Sequence, residues 1–197
     1  MNQAHEDKTI MNQNENAQET TKKVLSIIAQ RGFQDHEYSE SKKALEDAGI
    51  TVITAAPETK PAIGKFETEI IPDKALHEIN YENYDAIITI GGPGALSLGD
   101  HLEYFKIITQ ANNAGKVIGA ICIAPVLLGK AGLLKLRRAT VWNADGMQSA
   151  IIERDGAQYT GETVTTDGNI ITADGPASAK IFGEAIAKAL LKTKKDE

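Results

Sequence analysis

The chain contains very little cysteine: of its 197 residues, only Cys122 carries a thiol. A single cysteine cannot close an internal disulfide or build a cysteine-rich zinc site, so neither of these can hold the fold together. Because structural disulfides belong to oxidising compartments, their exclusion favours a reducing, cytoplasmic location. We also predict no metal site and no bound cofactor.

Excess positive charge and long apolar runs are missing as well. The chain has 21 Lys and Arg against 27 Asp and Glu, which gives a formal net charge of -6. Nucleic-acid binding requires clustered basic residues, so we predict no nucleic-acid partner. No apolar run approaches the roughly 20 residues of a membrane-spanning helix, so we predict no membrane partner.

The N-terminal segment differs in composition from the rest of the chain. Residues 1–22 are rich in Asn, Gln, Glu and Thr and contain no apolar stretch of the kind found in secretory signals. Such a segment buries too little apolar surface to fold, which predicts a disordered tail. Residues 23–193 are then predicted to form one domain, a size sufficient for a continuous core.

Short, β-branched apolar runs alternate with helix-like segments throughout the predicted domain. The predicted core strands read KVLSIIAQ, ITVITAA, YDAIITI and KVIGAI. Apolar runs of this kind are typical of buried strands, and their alternation with helices indicates a mostly parallel sheet covered on both faces. The sequence therefore predicts a single-domain, three-layer α/β sandwich of the flavodoxin-like type, in which ligands gather at the carboxyl ends of the strands.

Four further segments carry local signals. Pro, Gly and short β-prone pieces between residues 57 and 71 predict an edge hairpin, and Asp167 with Gly168 predicts a second hairpin. The segment DKALHEIN predicts a short helix with Asp73 as its N-cap. The segment RATVW predicts another strand.

The cysteine lies where a predicted strand gives way to a predicted helix. Small residues, Ala120 and Ala124, stand two positions before and after Cys122, and Pro125 suits the first turn of a helix. A sharp strand-to-helix turn that presents a nucleophile needs small flanking residues. The helix N-terminus then predicts a lowered thiol pKa. The alternative is an inert cysteine buried in the core, which is the commoner fate of a buried thiol.

The segment GAICIAPVLLGKAGLL resembles the nucleophile elbow of the DJ-1/PfpI (ThiJ/PfpI) superfamily. The resemblance extends from about Lys23 to Leu191 and includes GFQDHE, AIITIGGPGA and VTTDGNIITADGPASAKIFGEAIAKAL. The last of these segments is most similar to the DJ-1 branch. The resemblance implies the DJ-1-like form of the α/β sandwich, with the elbow at a strand's carboxyl end.

The resemblance also implies an acid beside the thiol. The family pattern G-[AF]-[EQ]-[ED]-x-E matches GFQDHE and places at Glu37 the carboxyl group that hydrogen-bonds the cysteine. A carboxyl group near a thiolate in a dry site is pushed toward its neutral form, so it can donate a hydrogen bond to sulfur or move a proton. The residues alone favour a second explanation, in which Glu37 is an acid stabilised by a helix N-terminus.

Glycines 91 and 92 follow a predicted buried strand. In the family, this glycine loop offers backbone N–H groups to an oxyanion beside the cysteine, and Gly91 and Gly92 would act with the N–H of Ile123. A plain turn is the second interpretation. A nucleotide loop is the third, because Gly92 and Gly94 begin a G-x-G pattern, although Ser97 occupies the position of the third glycine.

This chain departs from the family pattern at the residues that would complete a protease triad. Some branches place His directly after the cysteine, where this chain has Ile123, and the loop GGPGALSL contains no carboxylate. By the resemblance, Trp142, Ala124 and Pro125 line the site, and Trp142 can donate one N–H but cannot act as a base. A Cys-His-Glu protease triad is therefore not expected.

The resemblance implies a cysteine-dependent stress-protection protein. The first expectation is an enzyme of glyoxalase or deglycase type that acts on small α-oxoaldehydes or their adducts through Cys122 and Glu37. The alternative is an oxidative-stress sensor in which protonated Glu37 stabilises a Cys122 sulfinate, or a chaperone-like protein with little chemistry. The implied partners are a small carbonyl compound or an oxidant, and a second copy of the chain in a homodimer.

Overall fold

The computed structural model of the protein describes residues 21–192. The predicted tail therefore lies outside the described residues except for its last two positions, and so does residue 193, the predicted end of the domain. Within residues 21–192, the chain forms a central seven-stranded sheet, a three-stranded sheet and a two-stranded sheet.

The strands and helices alternate along most of the chain. The strands are β1 (Lys23–Ile27), β2 (Arg31–Phe33), β3 (Thr51–Ala56), β4 (Ala62–Gly64), β5 (Glu69–Ile70), β6 (Lys74–Ala75), β7 (Ala86–Thr89), β8 (Val117–Ile121), β9 (Arg138–Ala139), β10 (Gln158–Tyr159), β11 (Val164–Asp167) and β12 (Ile170–Ala173). The α-helices are α1 (Asp35–Asp47), α2 (Leu102–Asn113), α3 (Pro125–Lys130), α4 (Met147–Arg154) and α5 (Ala179–Leu191). None of the helices in residues 21–192 has the length and apolar character needed to cross a bilayer.

The central sheet has the strand order β11-β12-β8-β7-β1-β3-β6. All neighbouring strands are parallel except β11 and β12, which form the predicted antiparallel hairpin. The chain proceeds from β1 to β3 on one side and later places β7 on the other side of β1. The strand order therefore reverses between β1 and β7, and at such a switch point α/β sheets form a ligand crevice.

Apolar side chains fill two separate cores, one on each face of the central sheet. Helices α1 and α5 cover one face, and α2, α3 and α4 cover the other. Alternate strand residues serve the two cores, as Leu25 and Ile87 do on one face and Val24 and Ile88 on the other. The predicted three-layer α/β sandwich with a mainly parallel sheet is therefore confirmed.

The prediction of a helix in DKALHEIN is wrong. Lys74 and Ala75 instead pair with the edge strand β3, and only a single 3-10 turn, Leu76–Glu78, follows. The Asp73 side chain does not cap a helix, because its Oδ2 accepts a hydrogen bond from the N–H of Thr54 at 2.8 Å. The segment pairs with the free backbone groups at the edge of β3 and does not form a helix. A segment of eight residues has only a weak helical propensity, so the energy of this pairing decides its conformation.

Two other local predictions are only partly correct. In RATVW, strand pairing is limited to Arg138–Ala139. The edge hairpin predicted between residues 57 and 71 is present as β4 and β5, and β4 also pairs in parallel with β2. Helix α4 was not predicted, because only Ile152 among its residues is buried and the helical period is therefore inconspicuous.

Candidate functional site

The central parallel strands bring the predicted site residues to the same edge of the sheet. Thr89 at the end of β7 is in register with Ala120 of β8. Gly91 and Cys122 each stand two residues further along, so they lie opposite one another. The next strand in the sheet, β1, leads through β2 into helix α1, which carries Glu37.

Cys122 occupies a strained turn between β8 and α3. Its φ angle is +62°, in the left-handed region that costs a non-glycine residue about 1–2 kcal/mol. Two backbone hydrogen bonds hold the turn: the Cys122 N–H donates to Ala173 O at 2.9 Å, and the Trp142 N–H donates to Cys122 O at 2.8 Å. Ala120 and Ala124 are completely buried, which agrees with the need for small flanking residues. The turn leaves Cys122 partly exposed.

Glu37 lies in the first turn of α1 and is completely buried. One of its carboxyl oxygens, Oε2, accepts a hydrogen bond from the N–H of Gly91 at 2.9 Å. The other oxygen, Oε1, is buried and has no conventional hydrogen-bond partner within residues 21–192. The side chain that interacts with this carboxyl group is Cys122. The structure therefore brings the two predicted catalytic side chains together.

The contact between Glu37 and Cys122 depends on the absence of a side chain at Gly91. A Cβ atom at this position would lie 2.5 Å from Cys122 Cβ and 2.6 Å from Glu37 Oε2, well inside van der Waals contact. The carbonyl of Gly91 accepts a hydrogen bond from the N–H of Gln34 at 2.9 Å, just before α1 begins. Gly91 therefore joins the end of β7 to the start of α1 and leaves room for the pair.

Burial raises the pKa of Glu37 from 4.5 to about 7. Three interactions lower the pKa and partly offset burial: the hydrogen bond with Cys122, the hydrogen bond from the N–H of Gly91 and the positive charge of Lys65. A carboxyl group with a pKa near neutrality exchanges its proton readily at physiological pH. This is the property required of a general acid and base.

The prediction of a lowered thiol pKa is not supported. Burial, and next the charge of Glu37, raise the pKa of Cys122 to about 12. The N–H groups of Gly92 and Ile123 act in the predicted direction, but α3 has only six residues and their effect is outweighed. The thiol and the carboxyl group are therefore a coupled pair that loses its first proton near pH 7 and holds one proton above that pH.

The predicted oxyanion donors have different roles in the structure. The N–H groups of Gly92 and Ile123 both point at the sulfur, so they are available to an oxygen that forms on a carbon bound to it. The N–H of Gly91 is already used by Glu37. Gly91 thus positions Glu37, and only the N–H groups of Gly92 and Ile123 lie where the predicted oxyanion donors would be needed.

The thiol opens into a cleft of about 410 Å³. The residues that line the cleft are Gln34, Lys65, Gly92, Pro93, Leu96, Cys122, Ile123, Trp142 and Pro176. Trp142 is 37% exposed and forms one wall. Ala124 and Pro125, predicted to line the site, are buried and instead support the turn from beneath.

Five residues of the cleft were missed by sequence reasoning: Gln34, Lys65, Pro93, Leu96 and Pro176. Pro93 and Leu96 follow the glycine loop, so their proximity could have been inferred from it. Gln34 directly precedes α1, and its side chain caps the helix by accepting the N–H of His36 at 2.8 Å. Lys65 comes from the β4–β5 hairpin, and no local signal indicated that this hairpin reaches the site.

No imidazole contributes to the cleft among the described residues. His36 is exposed and packs against the ring of Phe66, with ring centroids 5.7 Å apart. His77 and His101 lie elsewhere, and His5 is outside the described residues. Within residues 21–192, no cluster of three or more His, Cys, Asp or Glu is arranged to hold a metal ion. Among the described residues, the carboxyl group next to the thiol is that of Glu37, which is buried behind the cleft.

Comparisons with known proteins identify the chain. Residues 22–189 match the model of the DJ-1/PfpI family. An uncharacterized protein of Methanocaldococcus jannaschii is 33% identical over 171 residues, 86% of this chain and 83% of the relative. The glutathione-independent glyoxalase DJR-1.2 of Caenorhabditis elegans is 25% identical over 86% of this chain and 89% of the relative. The crystal structure of a ThiJ/PfpI domain protein from Brachyspira murdochii has a TM-score of 0.81 and 29% identity, covering 86% of this chain and 96% of that chain. The chain belongs to the DJ-1/PfpI family.

Proposed function

We propose that the protein is a cofactor-independent enzyme that converts small 2-oxoaldehydes into 2-hydroxy acids. One observation carries the proposal: a buried carboxyl group with a pKa of about 7 contacts a partly exposed thiol at the base of a cleft. The similarity to a glyoxalase of Caenorhabditis elegans supports the same reaction class. Adducts of oxoaldehydes on thiols or amines are related substrates, because they contain the same carbonyl-derived carbon.

The first step is addition of the thiol to the aldehyde carbon. The Cys122 sulfur forms a bond to this carbon, its proton passes to the Glu37 carboxylate, and the carbonyl π electrons move to oxygen. The resulting oxyanion accepts hydrogen bonds from the N–H groups of Gly92 and Ile123. Glu37 then passes this proton to the oxyanion, which gives a neutral hemithioacetal and restores the Glu37 carboxylate. Glu37 suits the step because its pKa lies near the operating pH.

The second step is an internal redox exchange between two adjacent carbons. The carboxylate of Glu37 removes the proton from the carbon bound to sulfur, which gives an enediolate, and returns this proton to the neighbouring carbon. The hydroxyl proton of the hemithioacetal passes to the oxygen of the former ketone. The former aldehyde carbon is thereby oxidised to a thioester and the ketone is reduced to an alcohol. Water then cleaves the thioester, releasing the hydroxy acid and restoring the thiol, so no external oxidant or reductant is required.

The test is turnover of methylglyoxal to lactate by the purified full-length chain. We expect lactate formation by the wild type and its loss, by about 100-fold or more, in Cys122→Ser and Glu37→Gln. The variant Glu40→Gln, at an exposed position on the same helix, is the matched control and should retain wild-type activity. Absence of lactate with the wild type, or equal activity in all variants, would contradict the proposal.

A second function is favoured by the same pKa. Near pH 7 a large fraction of Glu37 is protonated, so it can donate a hydrogen bond to an oxidised sulfur. Peroxide would convert the thiol to a sulfenic acid and then to a sulfinic acid, releasing one water at each step. If the protein is a sensor, mild peroxide adds two oxygens to Cys122 by mass spectrometry without methylglyoxal turnover. If oxidation in Glu37→Gln proceeds equally to the sulfinate, the stabilising role of Glu37 is refuted.

A further inference from the structure

Lys65 supplies a positive charge to a cleft whose other walls are mainly apolar. Lys65 lines the cleft together with Leu96, Ile123 and Trp142. It is close enough to the site for its charge to act on the Glu37 carboxyl group. Among the ion pairs formed within residues 21–192, none includes Lys65. The ammonium group is therefore available to a ligand in the cleft.

The backbone that carries Lys65 is firmly held. The buried carboxylate of Asp35 accepts hydrogen bonds from the N–H groups of Phe66 at 2.9 Å and Thr68 at 3.1 Å. The N–H of Lys65 donates to Phe33 O at 2.7 Å. A Cβ atom at Gly64 would lie 2.1 Å from Asp35 Oδ1, so the turn packs directly on this carboxylate. The hairpin is thus tied to the start of α1, two residues before Glu37.

The direction of the Lys65 side chain is restricted as well. Its Nζ lies 5.2 Å from the centroid of the Phe66 ring, within the range of a cation–π interaction. Within residues 21–192, no carboxylate lines the cleft, since Glu37, which lies next to the thiol, is completely buried. An anionic group that enters the cleft therefore meets one cation and no exposed acid.

We propose that Lys65 determines substrate specificity and selects carbonyl compounds that carry a carboxylate near the reacting carbonyl. This inference rests on the proposed function for the reaction itself. A single lysine matches the single charge of a carboxylate, whereas phosphate sites combine several donors, such as arginine or a helix N-terminus. With the aldehyde carbon at Cys122, the carboxylate of such a substrate extends along the cleft to Lys65.

The first experiment needs no turnover. Cys122 is the single cysteine, so alkylation of the full chain reports on this site alone. The rate with iodoacetate is divided by the rate with iodoacetamide, a neutral reagent of similar size. Loss of one nearby cation should lower this ratio about fivefold in Lys65→Gln, and further in Lys65→Glu. Lys65→Arg should retain the wild-type ratio.

The matched control is Lys60→Gln, which removes the same charge from an exposed lysine in the same segment that pairs with Glu58. Its ratio should equal that of the wild type. Equal ratios in Lys65→Gln and Lys60→Gln would overturn the proposal, because net charge alone would then explain any change. Addition of 1 M NaCl should reduce the difference between the wild type and Lys65→Gln.

The second experiment compares two substrates that differ in one terminal group. These are 4,5-dioxopentanoate, which carries a carboxylate, and 2-oxopentanal, which has a methyl group in its place. We expect kcat/KM to favour the anionic substrate in the wild type and this preference to fall about fivefold in Lys65→Gln, mainly through KM. An unchanged preference contradicts the role of Lys65. If neither compound is converted, the proposed reaction is wrong, and the alkylation ratio still decides whether Lys65 recruits anions.

Discussion

Replacement of Glu37 with Gln removes an ionisable group from the interior and should change how the stability of the protein depends on pH. The native pKa of about 7 is higher than the value of 4.5 for a free glutamate side chain. Below pH 4.5 the group is protonated in both the folded and the unfolded state. As the pH rises toward 7, the unfolded state loses this proton first, so folding becomes progressively less favourable.

The size of the effect follows from the two pKa values. Relative to low pH, this difference in pKa lowers the free energy of unfolding by about 1 kcal/mol at pH 5 and about 3 kcal/mol at pH 8. Gln does not carry this cost, and its side-chain oxygen can still accept the N–H of Gly91. The free energy of unfolding of Glu37→Gln, minus that of the wild type, should therefore increase by about 2 kcal/mol between pH 5 and pH 8.

The assay is urea denaturation at several pH values between 5 and 8, followed by circular dichroism. Cys122 is present in both proteins, and with a native pKa of about 12 it does not ionise in the folded state over this range. Glu40→Gln, at an exposed position of the same helix, should show no such increase. A difference between Glu37→Gln and wild type that stays constant with pH would refute the burial of an ionisable carboxyl group.

Three further predictions concern packing, the hairpin and assembly. Gly91→Ala should lower the free energy of unfolding by about 2 kcal/mol or more and abolish turnover, because the added methyl group would overlap Cys122 and Glu37. Urea denaturation measures the first effect and the lactate assay the second. Asp35→Asn should destabilise the protein by about 1–3 kcal/mol at pH 7. Although burial raises the pKa of Asp35, its hydrogen bonds with Thr68 and Phe66 lower it overall, so this difference in unfolding free energy should disappear as the pH falls below 3.8. We also propose a homodimer: light scattering during size exclusion should give twice the chain mass of 21.2 kDa, and a monomer at micromolar concentration contradicts it.

The parts of the fold that were predictable are those in which local signals agree with tertiary packing. The buried strands are apolar throughout because helices cover both faces of the sheet. Pro125 begins α3, and Asp167 with Gly168 forms the turn of a hairpin. The segment after Asp73 was mispredicted because its conformation is determined by pairing with β3, which lies about 20 residues earlier in the chain.

The chemical residues of the site were predictable to different degrees. The position of Cys122 followed from its small neighbours and the proline, whereas the identification of Glu37 required resemblance to a family. The separate roles of Gly91 and Gly92 depend on which N–H meets the carboxyl group and which meets the sulfur, and a sequence does not contain that information. Lys65 lies at the cleft because hydrogen bonds to Asp35 and Phe33 hold its hairpin against the start of α1, and these contacts between distant segments have no local signal in the sequence.

The central claim is that Glu37 and Cys122 share one proton and act as a unit. The most direct test is the rate of Cys122 alkylation by iodoacetamide as a function of pH. In the wild type the rate should rise with an apparent pKa near 7. Loss of the first proton leaves Glu37 as a carboxylate, which can accept the proton of the thiol and so produce the reactive thiolate. In Glu37→Gln this rise should vanish, leaving only the ionisation of the thiol at high pH. The same inflection near pH 7 in both proteins would contradict the account.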